Sequence, residues 1–247
     1  MLSHLFFLVI LCLVAGVFAH FLVINQPAVT RRYFLYHGLG ALPLLLPALW
    51  LFPNYWALVA ALALVATLAC YFAEKQILAS RVHLVLTLLI AIEIFAVDSP
   101  AVFLVFSLLT VLTLIQSSLM LGAAMGAMCL GHWYLNQPKL SITELRKACL
   151  FLFVALGIRF LFSTCFLVAS VSGHNLNWLM ASTVGLFLLM RYVWGLIAPL
   201  VLSFFLWETV KLSSTQSATG LLYVMVVMVL IGEIVSLYLL SYHGVFS

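Results

Sequence analysis

The chain is expected to fold as an all-α integral membrane protein, a polytopic bundle of about eight transmembrane helices with both termini on the non-cytoplasmic side. Three observations predict this. Of its 247 residues, 67% are hydrophobic and only 6% charged, against about a quarter charged in a soluble domain. Apolar runs of the length a bilayer requires, about 17 to 25 residues, recur along the whole chain, and the mean hydropathy is +1.30. Outside those runs, Lys and Arg fall only in alternate connections. The polar breaks are too short for a separate soluble domain, so residues 1–247 read as a single transmembrane helical domain.

The first segment runs from Leu2 to Ile24. Val17-Phe18-Ala19 imitates a signal-peptide cleavage site, but no basic stretch precedes the apolar run, so the segment reads as a retained helix. The second, Tyr33 to Trp50, contains Pro43 and Pro47, each of which frees a carbonyl one turn earlier. The third and fourth are Tyr55 to Phe72 and Val82 to Val97. The fifth, Ala101 to Leu135, would be about 52 Å long as one helix. It must therefore tilt, project from the bilayer, or break near Gly122 or Gly126. The sixth is Ala148 to Ser170, and the seventh, Asn177 to Trp207, is again too long for a simple span and contains Pro199, which deprives the Gly195 carbonyl of its helical donor. The eighth is Ala218 to Leu240, for which Ser217 or Thr215 supplies an N-terminal cap.

Arg31, Arg32, Lys75, Arg81, Lys139, Arg146, Lys147 and Lys211 all fall in the first, third, fifth and seventh connections. The positive-inside rule makes those connections cytoplasmic and points to a bacterial inner membrane. Trp50, Trp56, Trp133, Trp178 and Trp207 lie at segment ends, as an interfacial aromatic belt requires. The basic balance faces the anionic lipid of the bilayer and implies no nucleic-acid partner. Cys12, Cys70, Cys129, Cys149 and Cys165 are scattered without a C-x-x-C pair, so no disulfide framework is indicated.

Given this topology, His20, His37, His83 and His132 come from four segments and share a depth just inside the cytoplasmic interface. Imidazole nitrogen ligates haem iron, copper or zinc, and a bis-histidine haem needs its ligands on facing helices at similar depth. The bland alternative is that an amphipathic ring is tolerated at an interface. Met125, Cys129 and His132 are spaced to share one face of the fifth segment, a thioether, thiol and imidazole set suited to copper(I). Packing by Met and Cys outweighs the copper reading there.

Four ionisable residues sit where lipid would surround them: Glu93, Arg159, Arg191 and Glu233, with Gln116 as a further polar group. A charge at the bilayer centre costs roughly 2.5 to 3.5 kcal/mol on insertion scales, so each must find a partner, either in an internal ion pair or on a ligand. No phosphate-binding glycine loop, nucleophile elbow or zinc-protease motif is present. These features point first to a membrane-embedded redox subunit of a larger respiratory-type complex. It would hold haem b at the inner histidines, or a quinone near the buried polar groups, and work with other membrane subunits. A carrier or channel for an ion, metal or small solute is the alternative from another class, and a cofactor-free scaffold or assembly subunit is the third.

Overall fold

The computed structural model describes residues 2–24, 28–30, 32–37, 40, 81, 85, 100–137, 140–171 and 182–245. Apart from short connections and ends these are helical, with no strand among them. The helices are α1 (Leu2–Val23), α2 (Pro100–Asn136), α3 (Thr143–Val171), α4 (Thr183–Lys211) and α5 (Thr215–His243). Residues 32–37 add a short helical stretch. Four of these helices carry stretches long and apolar enough to cross a membrane: Leu108–Asn136, Thr143–Val168, Thr183–Lys211 and Thr215–His243. The chain is a helical membrane protein. The expected third segment, and most of the second and fourth, lie outside the described residues.

Close backbone approach sets the packing. Gly16 of α1 lies directly on Ser118 and Gly122 of α2, so a Cβ on either glycine would overlap the opposite backbone. One turn further along both helices, the ring of His20 lies on Gly126. The contacts advance together, 16 to 20 on one helix and 122 to 126 on the other, so α1 and α2 run parallel. Their glycines also explain why α2 stays continuous. Gly122 and Gly126 serve as contact surface, and no break occurs at either.

The other neighbours are antiparallel. The Tyr134 hydroxyl donates to the Ser141 carbonyl and ties the end of α2 to the start of α3. Gly131 and His132 of α2 meet Thr219 and Tyr223 near the start of α5, whereas Ser117 lies on the level of Ser236. Helices α4 and α5 cross where Gly195 and Gly232 touch, with a Cβ on Gly195 only 2.6 Å from the Gly232 Cα. At that point α4 widens into a π-turn over Val193–Ile197. Pro199 explains the widening: it has no N–H for the Gly195 carbonyl, and its ring needs room against the preceding turn.

Three of the basic connections collect at one end. Thr30 donates to Gln137 at 2.8 Å, and Arg146 donates from Nη2 to the Lys211 carbonyl at 3.3 Å, placing the first, fifth and seventh connections together. Glu144, buried in the first turn of α3, favours the positive end of that helix and pairs with Lys147 at 2.8 Å. The cap of α5 differs from expectation. Thr215 is its first residue and Ser214 its N-cap with no side-chain cap bond, because the Ser214 hydroxyl donates to Ser217 Oγ instead. At the other end Gly244, at φ 62°, accepts the left-handed turn that closes the helix.

The outward stripe of α4, including Leu186, Leu189, Val193, Trp194, Ile197, Val201 and Phe204, is exposed. Apolar outside and polar inside is the arrangement a lipid solvent selects.

Gly16→Ala and Gly157→Ala should have opposite effects. Alanine normally gains up to about 1 kcal/mol over glycine in a helix interior, and nothing lies within 4 Å of a Cβ at Gly157. At Gly16 the methyl collides with backbone and should cost ~1–3 kcal/mol. Unfolding midpoints in detergent micelles measure both; equal shifts would mean that α1 and α2 are not in contact.

Candidate functional site

Among the described residues the most concentrated polar chemistry is a buried cluster contributed by α2, α3, α4 and α5. Arg159, Arg191 and Glu233 each have no solvent exposure. Arg159 grips Glu233 side-on, with Nε 3.3 Å from Oε1 and Nη2 3.1 Å from Oε2. Its Nη2 also lies 3.0 Å from Ser117 Oγ and 2.8 Å from Ser236 Oγ, and its Nη1 donates to Gln116 Oε1 at 3.3 Å. Arg191 donates from Nη2 to Glu233 Oε1 at 2.7 Å. Its Nε and Nη1 are buried with no hydrogen-bond partner among the described residues.

Local sequence builds this centre. Glu233 and Ser236 are three residues apart on α5 and therefore share a face. Gln116 and Ser117 enter from the adjoining face of α2. The glycine crossing makes room for the second arginine, since a Cβ at Gly195 or Gly232 would lie 2.9 Å from Arg191 Nη1. One carboxylate between two guanidinium groups leaves the centre with an excess of one positive charge among the described residues. In a low-dielectric interior such a cluster holds its helices together chiefly because losing one member strands the others.

A second level lies toward the basic end. His20 is fully buried against Gly126 and 6.2 Å from the Phe151 ring, and neither ring nitrogen has a partner among the described residues. His37 sits over Tyr33, with ring centroids 4.3 Å apart, and its Nδ1 is 2.7 Å from the Tyr33 carbonyl. That contact places the proton on Nδ1 and leaves the Nε2 lone pair available. The Tyr33 hydroxyl donates to the Gly126 carbonyl at 3.4 Å. Gly126 and Tyr33 therefore link the two histidines, and Phe21, Phe34 and Trp133 surround the Tyr33 ring.

His132 stands apart. It is exposed, six residues or about 9 Å further along α2 than Gly126, and its Nδ1 pairs with the Tyr223 hydroxyl at 3.1 Å. Met125 and Cys129 are partly buried on the same helix. Among the described residues no three His, Cys, Asp or Glu side chains group as a metal site. His83 and Glu93 lie outside the described residues.

The sequence reading did not single out Ser117, Ser236, Tyr33 or Tyr223. Ser236 and Tyr33 carried a usable signal, since each is one helical turn from a residue that was singled out, Glu233 and His37 respectively. Tyr223 carried none, because its pairing with His132 depends on how two distant helices cross.

The fold and this centre define a helical membrane protein with an internal ionic cluster. Comparison with family models, curated proteins and solved structures finds no match to the chain.

Charge balance orders the substitutions at the centre. Glu233→Ala strands two guanidinium groups and should lose ~3 to 5 kcal/mol. Arg191→Gln leaves a neutral Arg159–Glu233 pair intact and should lose less than about 1.5 kcal/mol, the scale of one ordinary hydrogen bond. Folded fractions across a denaturant titration in micelles give the ranking; a larger loss for Arg191→Gln would mean that the pair is not the lock.

Proposed function

We propose that the protein is a membrane-embedded redox subunit holding haem b between the histidines of the cytoplasmic end, with His20 and His37 as the ligand pair. The observation that carries this reading is His20. An imidazole excluded from solvent, with neither nitrogen satisfied among the described residues, costs free energy of order 1–3 kcal/mol per unmade bond. A ligand at one nitrogen removes part of that cost. His37 supports the same reading, because a ligating histidine characteristically donates its other N–H to a carbonyl, as Nδ1 does here toward Tyr33. The aromatic side chains around Tyr33 provide the apolar surroundings that a macrocycle needs. A quinone near the buried polar groups is compatible with the same subunit. Since the chain is nearly all membrane-embedded, it would exchange electrons with other subunits of a larger complex.

The proposed topology is eight spans with both termini on the outer side of a bacterial inner membrane. Parallel packing of α1 and α2 supports it, because two parallel spans require an odd number of crossings between them, and residues 25–99 contain three apolar segments. Reporter fusions at Ser247 and in the connection between Pro138 and Lys147 should report opposite compartments; the same compartment for both would remove this topology.

A second reading, transport of an ion or small solute, is favoured by one observation: among the described residues the buried centre carries an unbalanced positive charge.

The purified protein should show a Soret band and a reduced-minus-oxidised α-band. Both should disappear in His20→Ala and His37→Ala and persist in His132→Ala, whose ring pairs with Tyr223 at the surface. A colourless wild-type protein after expression with added haem precursor would exclude the haem reading.

A further inference from the structure

The two arginines use Glu233 differently. Every nitrogen of Arg159 has an acceptor: Glu233 for Nε, Glu233, Ser117 and Ser236 for Nη2, and Gln116 for Nη1. Arg191 uses Nη2 alone, on Glu233, while Nε and Nη1 remain buried and unpartnered among the described residues. Nη2 carries two hydrogens, one parallel to Nε–H and one parallel to an Nη1–H. Since Glu233 occupies one of them, the other completes a two-pronged donor edge with the nitrogen on its own side.

We infer that Arg191 is a binding residue for a monoanionic carboxylate ligand inside the bundle, with Arg159 and Glu233 forming the fixed wall of the site. Charge and donor geometry select this ligand class. Among the described residues the centre holds two guanidinium groups and one carboxylate, and arginine does not escape burial by releasing its proton. A single negative charge brings the total to zero. A neutral carbonyl or a water would satisfy an N–H but leave the charge, and a phosphate dianion would overshoot it. A planar carboxylate also matches a guanidinium edge with two parallel bonds, which a spherical halide cannot. This assignment does not depend on the histidine level holding a haem.

The test uses the full chain in lipid nanodiscs at low salt, titrated with benzoate in a calorimeter. Benzoate should bind saturably at one site per chain, and its neutral analogue methyl benzoate should not. Arg191→Gln should weaken benzoate at least tenfold while the protein stays folded. Arg191→Lys, which keeps the charge without the planar edge, should fold and bind with intermediate affinity, and it replaces the glutamine variant if that one fails to fold. Binding that is unchanged in these variants, absent in wild type, or displaced equally by chloride at the same concentration would overturn the inference. Glu93 is the other carboxylate within the predicted spans. Benzoate binding seen only in Glu93→Gln would show that the chain neutralises its own arginine, which also overturns it.

Discussion

Glu233 is the group on which the bundle's interior depends. Among the described residues it is the one carboxylate joining arginines from two other helices, and Arg159 extends the connection to Ser117 and Gln116 on a third. Within a membrane the hydrophobic effect gives helices little reason to associate, because lipid tails are as apolar as leucine. Specificity then comes from close packing and from polar groups with nowhere else to go. Here both operate at one place, since the Gly195–Gly232 crossing lies against the guanidinium of Arg191. The π-turn belongs to the same arrangement. It begins two residues after Arg191, carries Gly195 at its centre, and ends where Pro199 permits an ordinary helix to resume.

The membrane class and the existence of the long helices were legible from composition and run length alone. The need for partners at Arg159 and Arg191 was equally legible, because an arginine in lipid has few alternatives. Which acid would serve them was not. Glu93 and Glu233 both lay within predicted spans, and it is the packing of α3 and α4 against α5 that brings Glu233 into reach of both arginines. The same limit applied to the histidines. Depth along a helix can be counted from the sequence, but azimuth depends on which neighbour each face meets. His20 faces Gly126 and is enclosed, whereas His132 faces outward toward Tyr223.

Glycines carried more information than their spacing suggested. Those at 122 and 126 allowed two readings, a break in a long helix or a contact surface, and local propensity could not choose between them. Packing did. In the membrane a glycine exposes its backbone to a neighbour without the water competition that weakens soluble helices, so continuity through both positions accompanies close approach by α1.

The parallel pairing of α1 with α2 bears on how the chain is assembled during synthesis. Gly16 meets Gly122, a partner made 106 residues later. At ordinary translation speeds of about 5–20 residues per second, α1 waits roughly 5 to 20 s before that surface emerges. Throughout that interval its glycine and buried histidine face temporary neighbours. Hairpins such as α2–α3 and α4–α5 close locally as they emerge, but the first helix must be kept available and docked late. Its insertion and its assembly are therefore separate events, and the second is where a membrane chaperone or a partner chain has time to act.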